Sequence, residues 1–120
     1  MIIFRITMIV RPEKQKEVVQ TLLSLIEPPG LENEYLSYGI FRDIEDINVF
    51  NLISEWNTRE QLDHHLVSHR FSVLLGTKSL LCEPLKIQIL TVAGAEGIEA
   101  VNSIRKKPSS LQNALTFKGV

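Results

Sequence analysis

Cysteine is nearly missing from this chain: Cys82 stands alone, and a single thiol cannot form an internal disulfide. Such usage suits a reducing compartment, so the expected location is the cytoplasm. Apolar runs long enough to cross a bilayer are missing too. The opening residues are apolar, but Arg5 interrupts them, no basic segment precedes them and no small-residue cleavage signature follows. A charge excess of either sign is also lacking. Thirteen Lys and Arg against fourteen Asp and Glu leave a net charge of -1, which provides no field for nucleic acid or an anionic membrane. There is no internal repeat and no low-complexity block.

What is present is an ordinary globular mixture. Apolar residues make up 44% and charged residues 22%, which excludes disorder and supplies enough aliphatic side chains for a core. At 120 residues, a single domain is expected.

Ile2-Ile3-Phe4-Arg5-Ile6-Thr7-Met8-Ile9-Val10 is rich in β-branched residues and reads as a strand. Its even positions are all apolar and its odd positions include Ile3 and Ile9, so both faces are expected to be covered. Pro12 ends the strand and suits the first turn of a helix. Val18, Val19, Leu22, Leu25 and Ile26 then recur at helical spacing to about residue 27, where Pro28-Pro29-Gly30 stops the pattern. Strands are predicted over 35–43 and 48–56, joined by a short polar hairpin around Ile44-Glu45-Asp46-Ile47. Thr58-Arg59-Glu60-Gln61 matches a capping box, in which the Thr58 hydroxyl and the Gln61 amide serve unpaired N–H groups. Leu62, His65 and Leu66 share one side of the helix that follows. Ser68 suits the cap of a second segment, with Phe71, Leu74, Leu75 and Lys78 on one stripe. Pro84 breaks any continuation, and residues 85–92 alternate as a last strand.

The order β-α-β-β-α-β is the α+β, ferredoxin-like split βαβ arrangement, spanning residues 1–92. Residues 93–120 form an extension. In it, Ile98, Val101 and Ile104 make a narrow apolar stripe on an extra C-terminal helix of about three turns, too short to stand without a docking surface. Lys106-Lys107-Pro108-Ser109-Ser110 reads as a linker and the remainder as a loose tail. Ile3, Ile9, Val49, Ile53, Leu90 and Val92 lie on the opposite parity from the other apolar residues of their strands. A monomer would expose them as an apolar patch, whereas an isologous homodimer covers them. The stripe on the last helix is expected to help clamp the two copies.

At Glu55-Trp56-Asn57-Thr58-Arg59-Glu60-Gln61-Leu62-Asp63-His64-His65-Leu66-Val67-Ser68 the chain resembles the antibiotic biosynthesis monooxygenase family. That family shows a tryptophan ending the third strand, a capped helix start, a His-Leu pair, a small residue and a phenylalanine. Trp56, Thr58, His65-Leu66, Ser68 and Phe71 stand at those positions here. Arg11-Pro12-Glu13-Lys14 after the opening strand and the strand over 38–43 are similar as well, and the resemblance covers residues 1–92. It implies a dimeric α+β barrel of two ferredoxin-like sheets packed face to face. It also implies a monooxygenase that needs no cofactor, neither metal nor flavin, and oxidises a small phenolic, anthrone or quinol-like molecule.

Such a reaction removes a substrate proton so that the anion can give an electron to oxygen. The protein supplies a dry aromatic pocket and a base or hydrogen-bond donor. His65 is the first candidate for that polar group, because imidazole exchanges a proton near neutral pH. Trp56 is the candidate wall, with an indole N–H to hold a substrate oxygen; the plainer reading is an aromatic that locks strand to helix. Tyr38, Phe41, Phe50 and Phe71 are candidate substrate-binding residues. Asn51, polar within an apolar strand, fits a dimer interface or rim. Arg42 either pairs an anionic substrate or forms a salt bridge with Asp43 or a helix acid. Inert packing is expected of Cys82.

His65 and His69 share a helix face only if the helix is unbroken; Ser68 interrupts it and no HExxH pattern is present, so no metal site is expected. The haem-degrading branch of the family has a tryptophan where His65 stands and a haem-ligating histidine at the place of Leu75. Its first-strand asparagine is also lacking, since only Arg5 and Thr7 are polar there, and haem is rejected. Two other functions fit the same pattern. One is an isomerase or other proton-transfer enzyme on a small oxygenated metabolite. The other is a non-catalytic dimeric ligand-binding module, for which His65 would point to solvent.

Overall fold

The β-branched opening of the chain forms strand β1 (Ile2–Ile9), and each even residue from Ile2 to Val10 is buried. In the computed structural model, which describes residues 1–26 and 35–106, a 3-10 turn at Pro12–Lys14 leads into helix α1 (Gln15–Ser24). Strands β2 (Tyr35–Arg42) and β3 (Val49–Trp56) follow, then helices α2 (Arg59–Leu66) and α3 (His69–Leu75). Strand β4 (Lys86–Thr91) and helix α4 (Ile98–Arg105) complete the order. The Pro28-Pro29-Gly30 stop, and the linker and tail from residue 107 onward, lie outside the described residues.

The strands form one antiparallel sheet in the order β2-β3-β1-β4. β1 and β2 therefore run parallel with β3 between them, which is the split βαβ topology of an α+β, ferredoxin-like domain. Across the sheet Ile2 faces Trp56 on one side and Thr91 on the other, while Ile9 faces Val49 at the far end. This register sorts side chains by parity. Phe4, Ile6, Met8, Phe50, Leu52 and Trp56 point to the helix layer, where Val18 and Leu22 of α1, Leu62 of α2, and Phe71 and Leu74 of α3 close the core. Each such side chain, fully buried, contributes about 1.5–3 kcal/mol. The opposite face of the sheet carries Ile3, Ile9, Val49, Ile53 and Leu90, as their parity requires, and Thr7 Oγ1 donates there to Asn51 Oδ1 at 2.8 Å.

Two caps set the helix layer. Thr58 Oγ1 accepts from the Gln61 N–H, and Ser68 Oγ accepts from the Phe71 N–H, both at 3.2 Å. The reciprocal half of the expected capping box does not form: the Gln61 carbonyl oxygen is buried and has no hydrogen-bond partner among the described residues. The expected stripe after Ser68 is also shortened. Phe71 and Leu74 are buried, but Leu75, still within α3, is exposed, and the helix then tightens at Gly76 into a 3-10 turn (Gly76–Leu80) that leaves Lys78 exposed. Three residues per turn no longer match the helical phase of the stripe. Cys82 is exposed rather than packed, held by its backbone N–H to the Ile9 carbonyl at 2.8 Å. Arg42 stacks its guanidinium 4.6 Å over the Phe50 ring and forms no salt bridge with an acid among the described residues. Among the described residues no helix is long and apolar enough to cross a membrane.

Candidate active site

Trp56 is the last residue of β3 and shares the inward parity of Leu52 and Ser54, so its ring enters the core under the helices. The Thr58 cap then turns the chain back over the sheet, and α2 carries His65 above the indole, with ring centroids 4.9 Å apart. Ser68 ends that run and redirects the chain into α3. The redirection brings Phe71 to the other side of the imidazole, 5.7 Å away and edge-on, and 5.9 Å from Phe4. On β2, Tyr35 lies opposite Trp56 in the sheet and meets it edge-on at 5.9 Å, with Tyr38 a further 5.6 Å along. The result is a continuous aromatic wall from the β2 edge to the helix layer, with the half-buried His65 as its one imidazole.

The polar groups of this wall are committed differently from the expectation for Trp56. Its indole Nε1–H donates to Ser54 Oγ at 2.9 Å, and the residue is only 2% exposed. The indole is therefore a core aromatic that cannot hold a substrate oxygen, because its one donor is used. Burial pushes the Tyr38 hydroxyl above its ordinary value of 10.0; the Arg70 guanidinium opposes the shift and Tyr35 adds to it. Tyr38 therefore keeps its proton as a donor. Gln61 stands one turn before His65 on the same side of α2, and its side-chain carbonyl oxygen is buried without a hydrogen-bond partner among the described residues.

His65, Trp56 and Phe71 thus come together, and Tyr38 joins them through Tyr35. Phe41 and Phe50 do not. Phe41 lies on the opposite face of the sheet, 54% exposed, with its ring over Gly39. Phe50 has the right face but sits at the other end of β3, ~20 Å from Trp56 at strand spacing, beside an open groove along α1 that Arg42 helps to line. His65 and His69 fall in separate helices, broken at Val67 and Ser68, so their spacing no longer places them on one face. The sequence reading missed Tyr35, Ser54 and Gln61. Ser54 had a signal, being a polar residue on the inward parity of an apolar strand. Tyr35 had none, because an irregularity between Tyr35 and Ser37 puts Tyr35 and Tyr38 on one face despite their odd spacing.

A four-stranded antiparallel sheet in the split βαβ order, covered on one face by helices, defines the class: a small ferredoxin-like α+β domain. The family model for antibiotic biosynthesis monooxygenase matches residues 1–74, and the chain belongs to that family. It is 25% identical over 88 residues to "Putative monooxygenase YcnE" of Bacillus subtilis (strain 168), covering 72% of this chain and 93% of that one. A conserved protein from Methanosarcina mazei Go1 superposes with a TM-score of 0.68 at 27% identity, covering 74% of this chain and 89% of the other. Rv0793 from Mycobacterium tuberculosis shares the fold with a TM-score of 0.71 at 18% identity, over 80% and 98% of the two chains.

Proposed function

We propose that the protein is a cofactor-independent monooxygenase that oxidises a small phenolic, anthrone or quinol-like ring held against the Trp56–His65 wall. The observation that carries this reading is the placement of His65 between Trp56 and Phe71, a titratable imidazole set in an aromatic surface. The ring of the substrate packs against the half-buried His65, which the buried Trp56 and Phe71 hold in place. His65 takes the substrate proton, and the resulting anion gives an electron to molecular oxygen. In the anthrone case a methylene becomes a carbonyl: one oxygen atom stays in the product and the other leaves as water with the two hydrogens. The Tyr38 hydroxyl, protonated at neutral pH, supplies a donor to orient a substrate oxygen. An aromatic, largely apolar wall also keeps water away from the anion.

The working form in this reading is a cytoplasmic homodimer. Ile3, Ile9, Phe41, Val49, Ile53 and Leu90 on the open sheet face support the dimer, and a lone exposed cysteine suits a reducing compartment. Oxygen uptake with simple quinols and anthrones tests the chemistry. Turnover by the wild type and its loss in both His65→Ala and His65→Phe, the second of which keeps a ring in the stack, are expected. Unchanged turnover in His65→Phe would remove the base role. Proton exchange into substrate without oxygen uptake would make the protein an isomerase-type enzyme, and binding without either would make it a ligand-binding module.

A further inference from the structure

Helix α4 carries an apolar stripe that no described element of the chain covers. Ile98, Val101 and Ile104 are 65, 51 and 45% exposed, no residue of the helix is buried, and no other element packs extensively on it. Its eight residues fall short of the ~12–15 at which an isolated helix becomes even marginal, so the helix needs a surface. The chain reaches it from β4, an edge strand, where the Val92 N–H donates to the Met1 carbonyl at 2.9 Å. Residues 93–97 then run without regular structure and include Gly94 and Gly97. Extended, this connector reaches ~17 Å. That exceeds the ~10 Å between two stacked sheets, so α4 can step from its own sheet to a copy packed on the open face.

The open face needs such help. Four strands ~4.8 Å apart and about eight residues long at ~3.3 Å each give a small face, ~500 Å² in plan. Its middle is polar as well. Arg5 and Gln88 lie in one cross-strand row, and Thr7, Asn51 and Lys86 in the next, whereas homodimer interfaces are about 65% apolar. An eight-residue helix ~12 Å long and ~10 Å across adds a mainly apolar footprint of ~120 Å². By two-fold symmetry each copy both gives one such helix and receives one, which enlarges the contact in plan by about half. We propose that α4 docks Ile98, Val101 and Ile104 on a second copy of this chain and clamps the dimer. The proposal rests on the dimer reading given above.

Sedimentation equilibrium on three full-length proteins separates the two ideas. The wild type is expected to dimerise, Ile53→Asp on the open face to abolish dimerisation, and Ile98→Asp/Val101→Asp/Ile104→Asp to raise the dissociation constant at least tenfold. A monomeric wild type would overturn the dimer and the clamp together. A dimeric wild type with an unchanged constant in the triple variant would overturn the clamp alone. A second measurement uses Val101→Cys in a Cys82→Ser background. Its thiol should resist modification at dimer concentrations and react after dilution to monomer. Protection that survives dilution would show α4 packed on its own chain, against the proposal.

Discussion

Ser54 and Trp56, two residues apart on the inward side of β3, are joined side chain to side chain by a 2.9 Å hydrogen bond from the indole Nε1–H to the hydroxyl oxygen. The bond keeps the ring in one orientation under His65 and removes its only donor from contact with a ligand. Ser54→Ala would leave that N–H buried and unpaired. The expected loss is ~1–3 kcal/mol of stability, read from urea unfolding monitored by the fluorescence of Trp56, the single tryptophan. A change below about 0.5 kcal/mol would mean that the indole finds another acceptor.

Tyr38 supplies a pH-dependent signature. Its folded value lies above the ordinary 10.0, so the unfolded chain gives up this proton first. The associated stability is complete below pH ~10 and is lost as pH rises through the folded value. Absorbance at 295 nm should show a tyrosine ionising above the ordinary value, and that phase should vanish in Tyr38→Phe. The alkaline decline in unfolding free energy should become shallower in the same variant.

Gly39 seats Phe41. A Cβ at this position would come within 2.7 Å of the tip of the Phe41 ring, and that ring is half in solvent with room to swing. Gly39→Ala should therefore change the stability of a monomer by less than ~1 kcal/mol, because the displaced atoms are not core. If the open face is the dimer contact, the displaced ring should still weaken self-association several-fold in sedimentation. Equal dissociation constants would remove Phe41 from the contact.

The two helix caps make a paired test. Thr58→Ala and Ser68→Ala should each cost ~1 kcal/mol in thermal or urea unfolding. Only Ser68→Ala should disturb the contact between His65 and Phe71, since Ser68 redirects the chain between them. In turnover assays the Ser68 variant should consequently lose more activity than the Thr58 variant at equal stability. Matching losses would separate the cap from the geometry of the site.

Parity made most of the fold legible. The alternation in β1 and β3, the break at Ser68 and the apolar stripe of α4 are local patterns, and each appears where the pattern places it. Parity was also sufficient to separate Phe41 from Tyr38, which stand three residues apart on a regular stretch of β2. Pattern alone does not record which end of a strand meets which helix, and so Phe50 and Trp56 look equivalent in the chain although ~20 Å divides them. Nor does it record side-chain pairing: the indole bond to Ser54 and the orphaned Gln61 oxygen depend on rotamers set by the packed helices.

The irregularity in β2 bears on how related chains are compared. Leu36 is the extra residue between Tyr35 and Ser37, exposed and without a partner in the β3 ladder, while Tyr35 still faces Trp56. Removing Leu36 would give an uninterrupted ladder with the tyrosine in the same place. A homologue one residue shorter in this strand should be aligned with its gap opposite Leu36. Shifting the gap elsewhere would move the aromatic counterpart of Tyr35 out of its column and make a shared wall look like a difference.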